Sequence, residues 1–122
     1  MILQKPTSER RRDPRVDNNI PIKIKCDNGD FVTETANISR SGLYCKVDSP
    51  VEMMTKMKIC LLIPLKQGEK TTTKKVNCGG VVVRSDSSVG GTNLAIFFND
   101  ISQRDSDLIA DYVSQYSEQQ QV

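Results

Sequence analysis

The chain has 122 residues, 37% of them hydrophobic, and a formal net charge of +2, which suits one domain with a modest core. No apolar run approaches the roughly eighteen residues that span a membrane as a helix, and the opening MILQKPTS lacks the apolar core and cleavage site of a signal peptide, so a cytoplasmic protein is expected. With no histidine, no Walker-type loop and no paired-carboxylate motif, the chain offers no enzyme reading, and no catalytic residue is assigned.

The charge is unevenly spread. Residues 1–25 carry seven Lys/Arg against three Asp/Glu, and the remaining 97 carry ten against twelve. The basic excess centres on ERRRDPR at 9–15. Pro14 disfavours helical geometry at Asp13, so Arg11 and Arg15 belong to an extended or turned segment. Arginine's planar fork pairs with phosphate or with the O6/N7 edge of guanine, and its face stacks on rings. By itself the run fits a solvated basic tail, a grip on nucleic acid, or half of a ligand site. Residues 1–19 hold only Met1, Ile2, Leu3 and Val16 as apolar side chains. That is too little to offset ordering at roughly 1–2 kcal/mol per residue, and a flexible arm is expected.

From Ile20 the pattern alternates. Ile20, Ile22, Ile24 and Cys26 share one face of a half-buried strand. DNGD at 27–30 is a hairpin turn, FVTETANIS a second strand, and RSG turns into LYCKV, a third. KMKICLLIP is a fourth, closed by Pro64 and the loop KQGEK; TTTKKVNCGGVVVR is a fifth, with a bend or bulge at Gly79–Gly80. SDSSVGG turns it into TNLAIFF, the sixth. The period then changes: Leu108, Ile109, Tyr112, Val113 and Tyr116 recur at helical spacing behind Ser102 and Asp105, which resemble a capping box. The tail 117–122 is polar and expected to fray. Six strands and one helix make a mainly β fold, a small antiparallel barrel capped by a C-terminal helix. Cys26, Cys45, Cys60 and Cys78 each fall within a strand, without a C-x-x-C pair, and are expected to be buried free thiols rather than a metal site.

The stretch NISRSG at 37–42 ends the second strand. Strand alternation puts Asn37 and Ser39 on one face and Ala36 and Ile38 on the other. With the apolar pair inside, the amide and hydroxyl stand outside. Gly42 falls in the turn, where a positive φ or a close ligand would exclude a β-carbon. Taken alone, N-x-S-x-x-G is more often an ordinary polar strand end with a turn glycine. Tyr44 is expected to pack on the barrel and Arg84 to be solvated.

Together, the R-x-x-x-R of Arg11 and Arg15 before the first strand and the N-x-S-x-x-G of Asn37, Ser39 and Gly42 across the next hairpin resemble the PilZ domain family. The resemblance covers about residues 9–116 and includes the leading ERR, the P-I-K-I first strand, the stretch Gly80–Arg84 and the C-terminal helix. It implies a six-stranded split β-barrel that binds cyclic di-GMP as a ligand, with no cofactor and no metal. Arg11 and Arg15 would hold guanine and phosphate from the arm, and Asn37, Ser39 and Gly42 would meet the other guanine. Arg10, directly before the motif, implies an intercalated pair of ligand molecules; Arg12 is expected to be solvated. The organisation implied is an arm at 1–19, barrel plus helix at 20–116, and a tail at 117–122. A single-domain receptor would act by regulating a protein effector in motility, biofilm or exopolysaccharide control, without binding nucleic acid or membrane. The last strand departs from the family pattern, with Ala95 where a glycine is frequent and Phe97 where a polar residue is. Two other readings are a degenerate PilZ-like interaction module of a pilus or motility system that binds no nucleotide, and a small barrel that binds nucleic acid. The intact motifs count against the first; the slightly acidic body and few aromatics count against the second.

Overall fold

The structure, a computed structural model, describes residues 15–27 and 29–120, with side chains described as far as Tyr116. Strands β1 (Pro21–Cys26), β2 (Gly29–Ile38), β3 (Gly42–Val47), β4 (Lys56–Gln67), β5 (Lys70–Ser88) and β6 (Gly91–Asp100) precede helix α1 (Gln103–Gln120). All pairings are antiparallel, and the order β1-β2-β3-β6-β5-β4 closes into a barrel through β1 against β4. The expected hairpins are present. Cys26 faces Gly29 across the first turn, and Gln67 faces Lys70 across Gly68, whose φ of 69° suits glycine.

The inward residues of each strand make one core. Ile22 and Ile24 meet Leu43, Ile59, Leu61, Leu94 and Ile96 inside the barrel. Cys45 and Cys78 join them, and burial pushes both thiols up to about 12, which removes them as nucleophiles. Cys26 and Cys60 are only half-buried, so the expectation of four buried thiols holds for two. Cys60 sits at an outward position of β4, between the buried Ile59 and Leu61.

Two strands are longer than expected. Pro64 does not close β4; it pairs with Thr73 on β5. The reason is local: β1 pairs only with Lys58–Leu61, so beyond Leu61 one side of β4 has no strand to which a backbone N–H must donate. Helix α1 packs against this β4–β5 hairpin, burying Ile109, Tyr112 and Val113. Gln115 fastens it there, accepting from the Lys66 N–H at 3.0 Å and donating to the Lys66 carbonyl at 3.1 Å. At the helix start the Asp105 N–H donates to Ser102 Oγ at 3.1 Å, the expected cap. The helix continues to Gln120, into the stretch expected to fray.

The segment before β1 is docked from Arg15 onward. Val16 exchanges two backbone hydrogen bonds with Ile38, each 3.0 Å, and is 1% exposed. Residues 15–19, expected within the mobile arm, therefore lie against the barrel. Thr35 secures them. Its buried hydroxyl accepts from the Ile20 N–H at 3.0 Å and donates to the Asn18 carbonyl at 2.6 Å. Thr35→Val keeps the shape and removes both bonds, leaving the Ile20 N–H unpaired; chemical denaturation should show a loss of about 1–3 kcal/mol. An unchanged midpoint would show that Val16 alone holds the segment.

Candidate functional site

Asn37 and Tyr44 are register partners on β2 and β3, and a register shift lies between Thr35 and Asn37. Thr35 pairs with Cys45 and Asn37 with Tyr44, so Ala36 is the extra residue of a β-bulge. The bulge resets the alternation. Thr35 and Ile38 are buried, Ala36 is exposed and Asn37 half-buried. Ala36 therefore does not point inward as expected, because strict alternation fails at the inserted residue.

Arg15 reaches this bulge. Its Nη1 donates to Asn37 Oδ1 at 2.9 Å, and its guanidinium carbon lies 5.5 Å from the centroid of the Tyr44 ring. The antiparallel Val16–Ile38 bridge sets Arg15 across from Ser39, diagonal to Asn37, and the long guanidinium side chain spans the diagonal. Asn37 uses its carbonyl oxygen here, which keeps its NH2 group available as a donor. Tyr44 is 38% exposed, presenting a ring beside a guanidinium rather than simply packing on the barrel. Residue type alone left the ring free to flank the site or to pack on the barrel, with packing favoured; the register opposite Asn37 decides it.

Ser39 and Gly42 hold other places than expected. Ser39 is 0% exposed, so its hydroxyl does not stand on the outer face. Its Oγ lies 3.0 Å from Ser41 Oγ and accepts from the Ser41 N–H at 3.2 Å, while its own N–H donates to the Gly42 carbonyl at 2.8 Å. These bonds turn the chain from β2 into β3, and they explain why strand alternation does not extend to Ser39. Gly42 has no positive φ. A β-carbon there would lie 2.2 Å from the Ile96 carbonyl oxygen on β6, so glycine is required by the approach of β3 to β6. Arg15, Asn37 and Tyr44 thus meet at the bulge, and the Ser39–Gly42 turn follows directly after it. Arg10 and Arg11 lie outside the described residues. Arg84 is exposed at the surface, paired with Asp86 at 3.0 Å.

Among the described residues no group of three or more His, Cys, Asp or Glu is placed to hold a metal ion, and no helix is long and apolar enough to cross a membrane. A family model described as the PilZ domain matches residues 9–115. The chain belongs to the PilZ domain family.

This PilZ domain is similar to three solved structures. The Bacillus subtilis inhibitor of motility MotI/DgrA shares 15% identity at a TM-score of 0.78, over 92% of this chain and 53% of the other. YcgR from Escherichia coli in complex with cyclic di-GMP shares 10% at 0.71, over 92% and 48%. The isolated PilZ domain of YcgR with cyclic di-GMP shares 9% at 0.66, over 92% and 95%. At such identities the likeness shows the fold, and the chain spans about half the length of the first two structures. No curated protein matches it.

Proposed function

We propose that this PilZ domain is a cyclic di-GMP receptor that changes conformation on binding and regulates a protein partner in motility, biofilm or exopolysaccharide control, in the cytoplasm. The observation that carries the reading is the Arg15–Asn37 bond beside Tyr44, which joins the two halves of the paired motif across 22 residues of sequence. The ligand is dianionic with two guanines, and the site offers a forked cation, a ring and an amide donor within one surface. Two of the structures that share the fold contain cyclic di-GMP.

In this proposal Arg11 and Arg15 grip guanine and phosphate from the arm, residues 1–19. Asn37 meets the second guanine on the barrel unit, residues 20–116. Ser39 and Gly42 act by shaping the turn that the ligand faces, and the tail 117–122 takes no part. Arg10 adds a cation for a second ligand molecule, giving an intercalated pair. The part of the arm before Arg15 closes over the ligand, and the changed surface is what a protein effector reads.

Calorimetric titration tests this, with GMP and single-stranded DNA as controls. Binding is expected at low-micromolar Kd or tighter, roughly 8 kcal/mol or more. No heat and no thermal shift at about 100 μM cyclic di-GMP would leave the degenerate interaction module as the better reading. Stoichiometry should be near two nucleotides per chain, and Arg10→Leu should lower it towards one. One nucleotide on the wild-type chain would remove the intercalated pair without removing the receptor.

A further inference from the structure

The barrel carries a second feature on the side away from Tyr44. In the ring of strands, β4 stands three places from β3 in either direction. There β1, β4 and β5 line an open cleft of about 1120 Å3 that includes Lys23, Lys25, Lys56 and Lys58. Lys25 lies directly across from Lys58, and Lys58 faces Gly79 on its other side, so no side chain at that position of β5 flanks Lys58. Like charges directly opposite on antiparallel strands are destabilising. None of the four lysines has an ion pair within 4.0 Å among the described residues. The nearby acids, Asp30 across from Lys25 and Asp27 and Asp100 in the cleft lining, form no ion pair with them and are outnumbered by the lysines. Fold stability does not account for setting Lys25 across from Lys58. A partner that brings carboxylates does.

We infer that this cleft is the docking site for an acidic segment of a protein partner. The lining contains no arginine and no aromatic side chain, the groups that grip phosphates bidentately and stack bases. Asp27 and Asp100 lie among the lysines, which disfavours a continuous polyanion and suits a peptide whose carboxylates are spaced. The half-buried Cys60 also lines the cleft and can meet an apolar side chain of the same segment. The inference goes beyond the receptor reading: it names an anchoring face for a protein partner on the wall opposite the nucleotide site, separate from the surface that the arm changes.

The test is fluorescence anisotropy of the full chain with a labelled peptide of alternating Glu-Asp-Leu, beside a single-stranded oligonucleotide of equal charge. Saturable peptide binding is expected, weakened roughly tenfold or more by Lys25→Glu and by Lys58→Glu. Lys58→Glu should not melt below the wild type, since it replaces a like-charge pair with an opposite one; Lys25→Glu also sets a carboxylate across from Asp30 and should melt slightly lower. The peptide should also slow alkylation of Cys60 in the wild-type protein. Cyclic di-GMP affinity should be unchanged in both lysine variants, and peptide affinity unchanged in Arg15→Ala, so failure of one site is distinguishable from failure of the other. No saturable binding at about 1 mM peptide, equal binding by the lysine variants, or tighter binding of the oligonucleotide lost in those same variants would overturn the inference.

Discussion

Gly42→Ala is expected to destabilise the barrel by about 3 kcal/mol or more, enough to unfold much of a marginally stable domain. The added β-carbon would stand 2.2 Å from the Ile96 carbonyl oxygen, and the atoms next nearest to it are also backbone of β6. No rotamer change relieves such a clash; β3 and β6 would have to separate along a register running from Gly42–Phe97 to Val47–Thr92. The Phe98 N–H, which donates to the Ser41 carbonyl at 2.9 Å, would move with it. Thermal denaturation with and without cyclic di-GMP checks this. A variant that melts like the wild type but no longer binds nucleotide would return Gly42 to the role of a ligand contact.

Arg15→Ala is expected to lose at least about 2 kcal/mol of cyclic di-GMP binding, or roughly thirtyfold in Kd, because charge-assisted hydrogen bonds are the strong ones. Folding should change little by comparison. The contact over Tyr44 contributes about 0.5–1 kcal/mol at such a half-exposed site, and Val16, Thr35 and Ile20 hold the segment without the guanidinium. Arg15→Lys should bind nearly as poorly, since a point charge cannot both reach Asn37 Oδ1 and present a planar fork. Calorimetry on both variants gives the result. Wild-type affinity in Arg15→Ala would mean that the Arg15–Asn37–Tyr44 surface is not where the nucleotide binds.

Much of the fold was legible in the sequence because it is set by local rules. The two-residue period of Ile20, Ile22 and Ile24 placed β1 and its inward face, and a strand needs no distant information to alternate. DNGD placed the first hairpin, Gly79–Gly80 a real register shift, and Ser102 with Asp105 the start of α1. The two motifs were legible as motifs too. Each is a short string of residue types whose chemistry suits a phosphate or a base edge.

The geometry between those pieces was decided by tertiary structure. Whether Ala36 points in or out depends on a bulge against β3, and an inserted residue changes the parity of everything after it. Ser39 is buried because its hydroxyl is used in the turn, and Gly42 is glycine because β6, far along the chain, passes well inside van der Waals contact of where its side chain would be. Arg15 meets Asn37 only because Val16 bridges Ile38, and Tyr44 comes beside it through the β2–β3 register. The lysines at 23, 25, 56 and 58 look like ordinary outward strand positions until the barrel closes β1 onto β4, which sets Lys25 against Lys58 and gathers all four along one cleft. Periodicity and turn chemistry act over a few residues, so they determine strands, turns and the helix; contacts between residues twenty or more apart depend on register and closure, which exist only once the barrel has formed.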